Sequence, residues 1–211
     1  LAGKDLELGG TWMGVSKKGK FAAVTNVREF YSQDYLEKDF LSRGDLVKNF
    51  FVTDLNIETY IDSLDLKRYL GFNLVLFDGD EISICSSNGK EKFKKGDKYF
   101  VIGNKSFGSN SNKISSARKD FEDILSNDFS NDDLLSLMQN PQEFYEFDQE
   151  KLSNNHGNEI SGRFIKSSTY GTRSTTVMTI NKKNEVKIKE QLYDKNGIIG
   201  SPNQFKFTIS K

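Results

Sequence analysis

Residues 72–77 (Phe-Asn-Leu-Val-Leu-Phe) and 81–85 (Glu-Ile-Ser-Ile-Cys) are apolar runs separated only by Asp78-Gly79-Asp80. A short Asp/Gly turn between two runs of strand-forming residues joins them as a hairpin, so the two strands must be antiparallel. The same grammar recurs. Residues 11–16 and 20–26 flank a Lys18-Gly19 turn, residues 98–102 follow Gly96-Asp97, and residues 175–180, 185–190 and 204–210 alternate near the end of the chain. Hairpin links of this kind build antiparallel sheets, and they exclude a parallel doubly wound fold.

Between the strand groups the apolar period changes. Ser42 precedes Leu46, Val47, Phe50 and Phe51. Asn56 precedes Ile57, Tyr60, Ile61 and Leu64, with Gly71 placed to end that helix. Ile114, Ala117, Phe121, Ile124 and Leu125 mark a third helix. Asn131 caps a fourth, carrying Leu134, Leu135, Leu137 and Met138 and stopped before Pro141. The spacing gives each helix one apolar face, which needs a sheet to cover. Residues 31–41, 103–112 and 146–161 read as loops, the second rich in Gly, Ser and Asn. The chain is therefore α+β, a helix-covered two-sheet sandwich satisfies it, and no composition break divides residues 1–211 into separate domains.

Thirty basic and thirty acidic residues cancel over the 211 positions, which argues against nucleic acid or an anionic membrane surface as partner. The densest basic stretch, residues 90–98, contains Glu91 and Asp97 and reads as a solvated hairpin. One cysteine, Cys85, and one histidine, His156, exclude an internal disulfide and any multi-cysteine or His-rich metal site. This usage fits a reducing, cytoplasmic setting. No apolar run is long enough to span a bilayer, and the opening residues are not a secretory signal.

Five short words occur in one order along the chain: Ala2-Gly3-Lys4-Asp5-Leu6 with Gly9-Gly10-Thr11-Trp12-Met13-Gly14-Val15; residues 19–26 followed by Arg28; Ser42-Arg43-Gly44 with Leu46-Val47; Gly71-Phe72-Asn73-Leu74; and Tyr170-Gly171-Thr172-Arg173-Ser174 with Thr176-Val177. In this series the chain resembles the transport and Golgi organisation protein 2 (NRDE) family. Residues 103–114 depart from the family's pattern, keeping Asn104 but neither its Trp nor its Pro. The resemblance implies an αββα sandwich like that of N-terminal nucleophile hydrolases, with mainly antiparallel sheets flanked by helices. Family members begin Met-Cys and reach an Asn-Arg-Asp-Glu motif before the point matched by Leu1. The expectation is a single NRDE-type domain over residues 1–211 lacking its N-terminal segment and first strands.

For function, the resemblance implies a small-molecule ligand of the haem or acyl-coenzyme A and lipid class, bound or trafficked in an inter-sheet cleft. No cofactor is expected to be covalently bound; haem enters as a transported ligand. The alternative is an N-terminal-nucleophile cysteine amidohydrolase whose nucleophile is absent from this chain, with Asn26 and Arg173 as supporting groups. Candidate ligand-binding residues are Trp12, Thr25, Arg28, Asn73, Asn104, Gly171, Thr172 and Ser174. Each has a second reading. Asn26 is an oxyanion donor or a turn former, and Arg173 is a cleft guanidinium or half of a surface ion pair. Trp12 is a pocket wall or a core aromatic. Ser42-Arg43-Gly44 reads as cap and turn, Cys85 as a buried, inert thiol, and His156 as a solvent-facing loop residue rather than a haem ligand.

Overall fold

Ser42 starts the first helix by accepting a hydrogen bond from the Gly44 N–H at 3.3 Å, satisfying a donor that the helix itself cannot. Helix α1 (Arg43–Val52) then buries Leu46, Val47 and Phe50. Asn56 does the same for α2 (Ile57–Asp62), accepting from Thr59 N–H at 2.8 Å. That helix does not run on to Gly71. Asp65 captures the Lys67 N–H with its own carboxylate and diverts the chain into a separate 3-10 turn, Leu66–Arg68. The computed structural model describes residues 1–27, 39–92, 99–109, 111–141, 162–166 and 170–210. The loop readings at 31–38 and 146–161, together with Arg28 and His156, lie outside them.

Two compact units divide the chain, Leu1–Ser109 with Ile209–Lys211 and Asn110–Thr208. The first holds a five-stranded sheet in the order β1-β2-β3-β4-β5. Its strands are β1 (Met13–Val15), β2 (Phe21–Asn26), β3 (Phe72–Phe77), β4 (Ile82–Ser86) and β5 (Gly89–Lys92), and every neighbouring pair is antiparallel. The Asp78-Gly79-Asp80 turn forms as read, with Gly79 at φ 115°, a conformation that a Cβ would penalise. Residues 99–102 form no strand. The expectation there rested on the Gly96-Asp97 turn signal ahead of them; the sheet instead takes β5 from residues 89–92, directly after β4.

Ala22, Val24, Phe72, Leu74, Leu76 and Cys85 share one sheet face through the register Ala22↔Leu76, Val24↔Leu74 and Leu74↔Cys85. They pack with Leu46, Val47 and Phe50 of α1 and with Ile57, Tyr60 and Ile61 of α2 as one core. Each fully buried aliphatic or aromatic side chain here contributes about 1.5–3 kcal/mol. Tyr60 keeps its hydroxyl satisfied by donating to Leu46 C=O at 2.6 Å. Burial, followed by the neighbouring Tyr69 and Asp45, pushes its pKa well above the usual phenol range. Lys20 closes the end of α1, donating from Nζ to Thr53 C=O at 2.8 Å.

The second unit holds α3 (Asn112–Leu125), α4 (Asn131–Met138) and a three-stranded antiparallel sheet, β6 (Ser174–Ile180), β7 (Glu185–Asp194) and β8 (Gly197–Thr208). The cap of α4 is Ser130 rather than Asn131: Ser130 and Asp133 form a reciprocal capping box. These hydrogen bonds from Ser130 hold the Asp133 carboxyl below the usual range. Strands β7 and β8 are longer than the alternation indicated. Asp194 accepts from Asn196 and Gly197 N–H at 2.7 and 3.1 Å, closing a tight turn that extends the ladder back to Gly197. Among the described residues no helix is long and apolar enough to cross a membrane.

Candidate functional site

Two glycines bring the site together. A Cβ on Gly10 would lie 2.8 Å from the Gly44 carbonyl carbon and 2.9 Å from its Cα, so only glycine lets the strand-entry backbone touch the first turn of α1. The Thr11 N–H then donates to Gly44 C=O at 3.3 Å. This close approach places the residues next to each glycine together. The Arg43 guanidinium stands over the Trp12 ring at 5.8 Å, a cation–π distance. Arg43 Nη1 also donates to Gly71 C=O at 3.0 Å, a carbonyl that accepts from Val27 N–H at 2.9 Å as well. The Ser42-Arg43-Gly44 word is thus a cap, as read, and also the carrier of a cation that sequence reasoning had not singled out. The signal that could have found it was the pairing of one Gly-containing word with another.

Asn26 is the last residue of β2, opposite Phe72, and so is not a turn former. By the two-residue alternation its side chain follows Ala22 and Val24 onto the helix-covered face. Its Oδ1 is buried and accepts no hydrogen bond among the described residues. A buried, unpartnered acceptor costs about 1–3 kcal/mol, and such groups are rare enough to mark a site. Trp12 is no core aromatic, because 43% of it is exposed.

The opposite face of the same sheet end is polar and closed by the 103–109 loop. Thr25 and Asn73 are register partners. Thr25 Oγ1 donates to Gly103 C=O at 3.1 Å. Asn73 is fully buried; its Nδ2 donates to Lys105 C=O at 2.8 Å, and its Oδ1 accepts from Phe107 N–H at 3.0 Å. Asn104 Nδ2 donates to the backbone carbonyl of Asn26 at 3.1 Å, and Asn88 Nδ2 to Ser106 Oγ at 2.9 Å. The structure therefore gathers Trp12, Thr25, Asn26, Asn73 and Asn104 at one end of one sheet. Within that group, Thr25, Asn73 and Asn104 hold a loop, while Trp12 and Asn26 offer an exposed ring and an unused acceptor.

Gly171, Thr172, Arg173 and Ser174 belong to the second unit. A Cβ on Gly171 would meet Ile165 C=O at 3.1 Å. Thr172 N–H donates to that carbonyl, and Ile165 N–H donates to Thr172 Oγ1, both at 2.9 Å. Tyr193 N–H donates to Arg173 C=O at 2.9 Å. The Tyr-Gly-Thr-Arg word is thus clamped between the 162–166 segment and β7, and it leaves the Arg173 side chain and Ser174 exposed.

Cys85 is fully buried in β4, and burial raises its thiol to about 11. A thiol so held is neither ionised nor reachable near neutral pH. Among the described residues, no group of three or more His, Cys, Asp or Glu side chains could hold a metal ion.

The fold and this sheet-end cluster define an α+β protein of antiparallel sheets and covering helices. The chain belongs to the Transport and Golgi organisation 2 family, whose sequence profile matches residues 1–195. It is 25% identical over 232 aligned residues to the Transport and Golgi organization 2 homolog of Mus musculus, covering 99% of this chain and 83% of that one. With the Homo sapiens homolog it shares 37% identity over 100 residues, covering 43% of this chain and 35% of the relative. With the Bos taurus homolog the figures are 35% over 102 residues, 44% and 36%.

Proposed function

We propose that this chain binds and carries a small ligand of the haem or acyl-coenzyme A and lipid class, working in the cytoplasm, with the first unit's sheet end as the binding surface. The observation that carries the reading is the unpartnered, buried Asn26 Oδ1 on the sheet face that also carries the Arg43–Trp12 stack. Trp12 supplies an apolar wall, Arg43 a guanidinium suited to a propionate or a phosphate, and Asn26 an acceptor for a ligand N–H or O–H. The names of the relatives, which speak of transport, agree with a carrier.

An αββα sandwich acting as one domain is part of the same reading. Its support lies in the second unit's sheet, where the face that carries Val177, Lys189, Gln191 and Tyr193 bonds to α4 through Lys189–Asp132 and Gln139–Tyr193. By register, Met178, Val186, Ile188, Phe205 and Phe207 form an apolar opposite face, as an inner layer requires. A cysteine amidohydrolase on this scaffold would need a thiol other than Cys85.

Equilibrium dialysis of the 211-residue chain against haemin and against palmitoyl-coenzyme A tests the proposal. Saturable one-to-one binding of one of them, weakened about tenfold by Arg43→Ala, is expected for loss of a charge-assisted contact of roughly 1.4 kcal/mol. No saturable binding of either ligand would remove the reading.

A further inference from the structure

The second unit contains a cation that its own fold leaves unsatisfied. The side chain of Arg163 is 2% exposed. Its Nη2 is paired with Asp120 Oδ2, but Nε and Nη1 are both buried with no acceptor among the described residues. Arginine stays charged in proteins. Burying it with one of three nitrogens engaged is unfavourable, because each buried donor left without an acceptor forfeits its hydration. A small rotation of Asp120 does not solve this. A carboxylate grips a guanidinium along one edge and so reaches two nitrogens at most, and Nε and Nη1 lie on different edges.

The segment that carries Arg163 is tied down by its neighbours. On one side, Phe164 N–H donates to Asn140 C=O at 3.2 Å, and the Phe164 ring meets Tyr193 edge-on at 4.9 Å between centroids. Tyr193 is itself fixed by Gln139 Nε2, which donates to its hydroxyl at 2.7 Å. On the other side, Ile165 and Lys166 pair with Thr172 and Gly171. Bonds on both flanks fix the backbone of the segment that carries Arg163. Asp120, in contrast, is 40% exposed, so the buried cation's carboxylate partner stands at the surface.

We propose that Arg163 is the anchor of a second ligand site in this protein, one that takes a compact oxyanion, either a phosphate group or a carboxylate, on one guanidinium edge beside Asp120. The site lies wholly within the second unit and does not depend on the sheet-end site of the first. The anion shares the cation with Asp120 and supplies one of the two missing acceptors, and its binding stabilises the 162–166 segment and, through it, the Tyr-Gly-Thr-Arg word.

The test is a thermal melt of the 211-residue chain in orthophosphate or acetate, with ionic strength held constant by chloride. A saturable rise in Tm, complete by roughly 10 mM anion, is expected from binding to the folded state alone. A response to orthophosphate alone assigns a phosphate group, and a response to acetate assigns a carboxylate. Arg163→Lys keeps the charge but loses the fork, and should weaken the anion's effect at least about fivefold. Should that variant fail to fold, the Nε–H resonance of Arg163 in the unaltered chain decides, since it must move with the same half-saturation as the melt. No saturable rise with either anion, an equal rise in a folded Arg163→Lys variant, or an Arg163 resonance that stays still throughout would overturn the proposal.

Discussion

Replacing Asn73 tests whether the 103–109 loop is held by one buried amide. Asn73 is fully buried and makes two short bonds to the loop, at 2.8 Å to Lys105 C=O and 3.0 Å to Phe107 N–H. Two longer contacts, both at 3.4 Å, reach Gly103 C=O and Thr25 Oγ1. Leucine has nearly the same shape and none of the polarity. Asn73→Leu strands at least one donor and one acceptor away from water, at about 1–3 kcal/mol each, so the expected loss is roughly 2–6 kcal/mol. Asn73→Asp keeps an acceptor for Phe107 N–H but sets a carboxylate against the Lys105 carbonyl, and should be no milder. Urea unfolding gives the stability, and limited trypsin digestion gives the loop itself, because Lys105 sits in the strapped stretch. Both variants should lower the urea midpoint, and cleavage after Lys105 should accelerate. A change below about 0.5 kcal/mol, the range of an ordinary surface substitution, with unchanged cleavage after Lys105, would refute the reasoning.

Other consequences can be checked on the same material. Gly10→Ala forces a Cβ to within 2.8 Å of the Gly44 backbone and should cost about 1–3 kcal/mol by overpacking, whereas Gly3→Ala, with nothing within 4 Å, should be close to neutral in the same denaturation assay. Cys85 should resist a thiol reagent in the folded chain near pH 8 and react at once in denaturant. Its folded pKa of about 11 against an ordinary 9.0 means that unfolding releases a proton between those values. The thiol's contribution to stability is therefore complete below pH 9 and is lost as pH rises toward 11. Urea midpoints at pH 8 and 10.5 should fall less in Cys85→Ala than in the parent chain. Ser130→Ala removes the hydroxyl half of the α4 capping box, leaving the residue 130 N–H on the Asp133 carboxylate, and should cost about 1 kcal/mol, read by thermal melting.

Much of the scaffold was legible because its signals are local. The Asp78-Gly79-Asp80 turn, the Ser42 and Asn56 caps and the Leu46–Val47–Phe50 stripe each declare themselves within a few residues. The misplaced boundaries come from side chains competing for backbone donors. Asp65 breaks the helix that the apolar spacing would have continued, Ser130 takes the cap ahead of Asn131, and Asp194 folds a turn that hid the early half of β8. The site was legible in part for the same reason. Trp12, Thr25, Asn26, Asn73 and Asn104 stood out as polar or aromatic residues at strand ends. Arg43 did not, since its role depends on the contact between Gly10 and Gly44, which are far apart in sequence. Arg163 carried no sequence signal at all, because an arginine in a polar stretch looks solvated until its burial is seen.

Trp12 is the chain's only tryptophan and lies under the Arg43 guanidinium, so its fluorescence reports directly on the proposed binding surface. Titrating the chain with haemin and with palmitoyl-coenzyme A while following that emission tests the central claim most closely. The account predicts a saturable change with one of them at one equivalent, shifted to markedly higher ligand concentration in Asn26→Leu and in Arg43→Ala. An emission that saturates with the same affinity in both variants, or that never saturates, would contradict it.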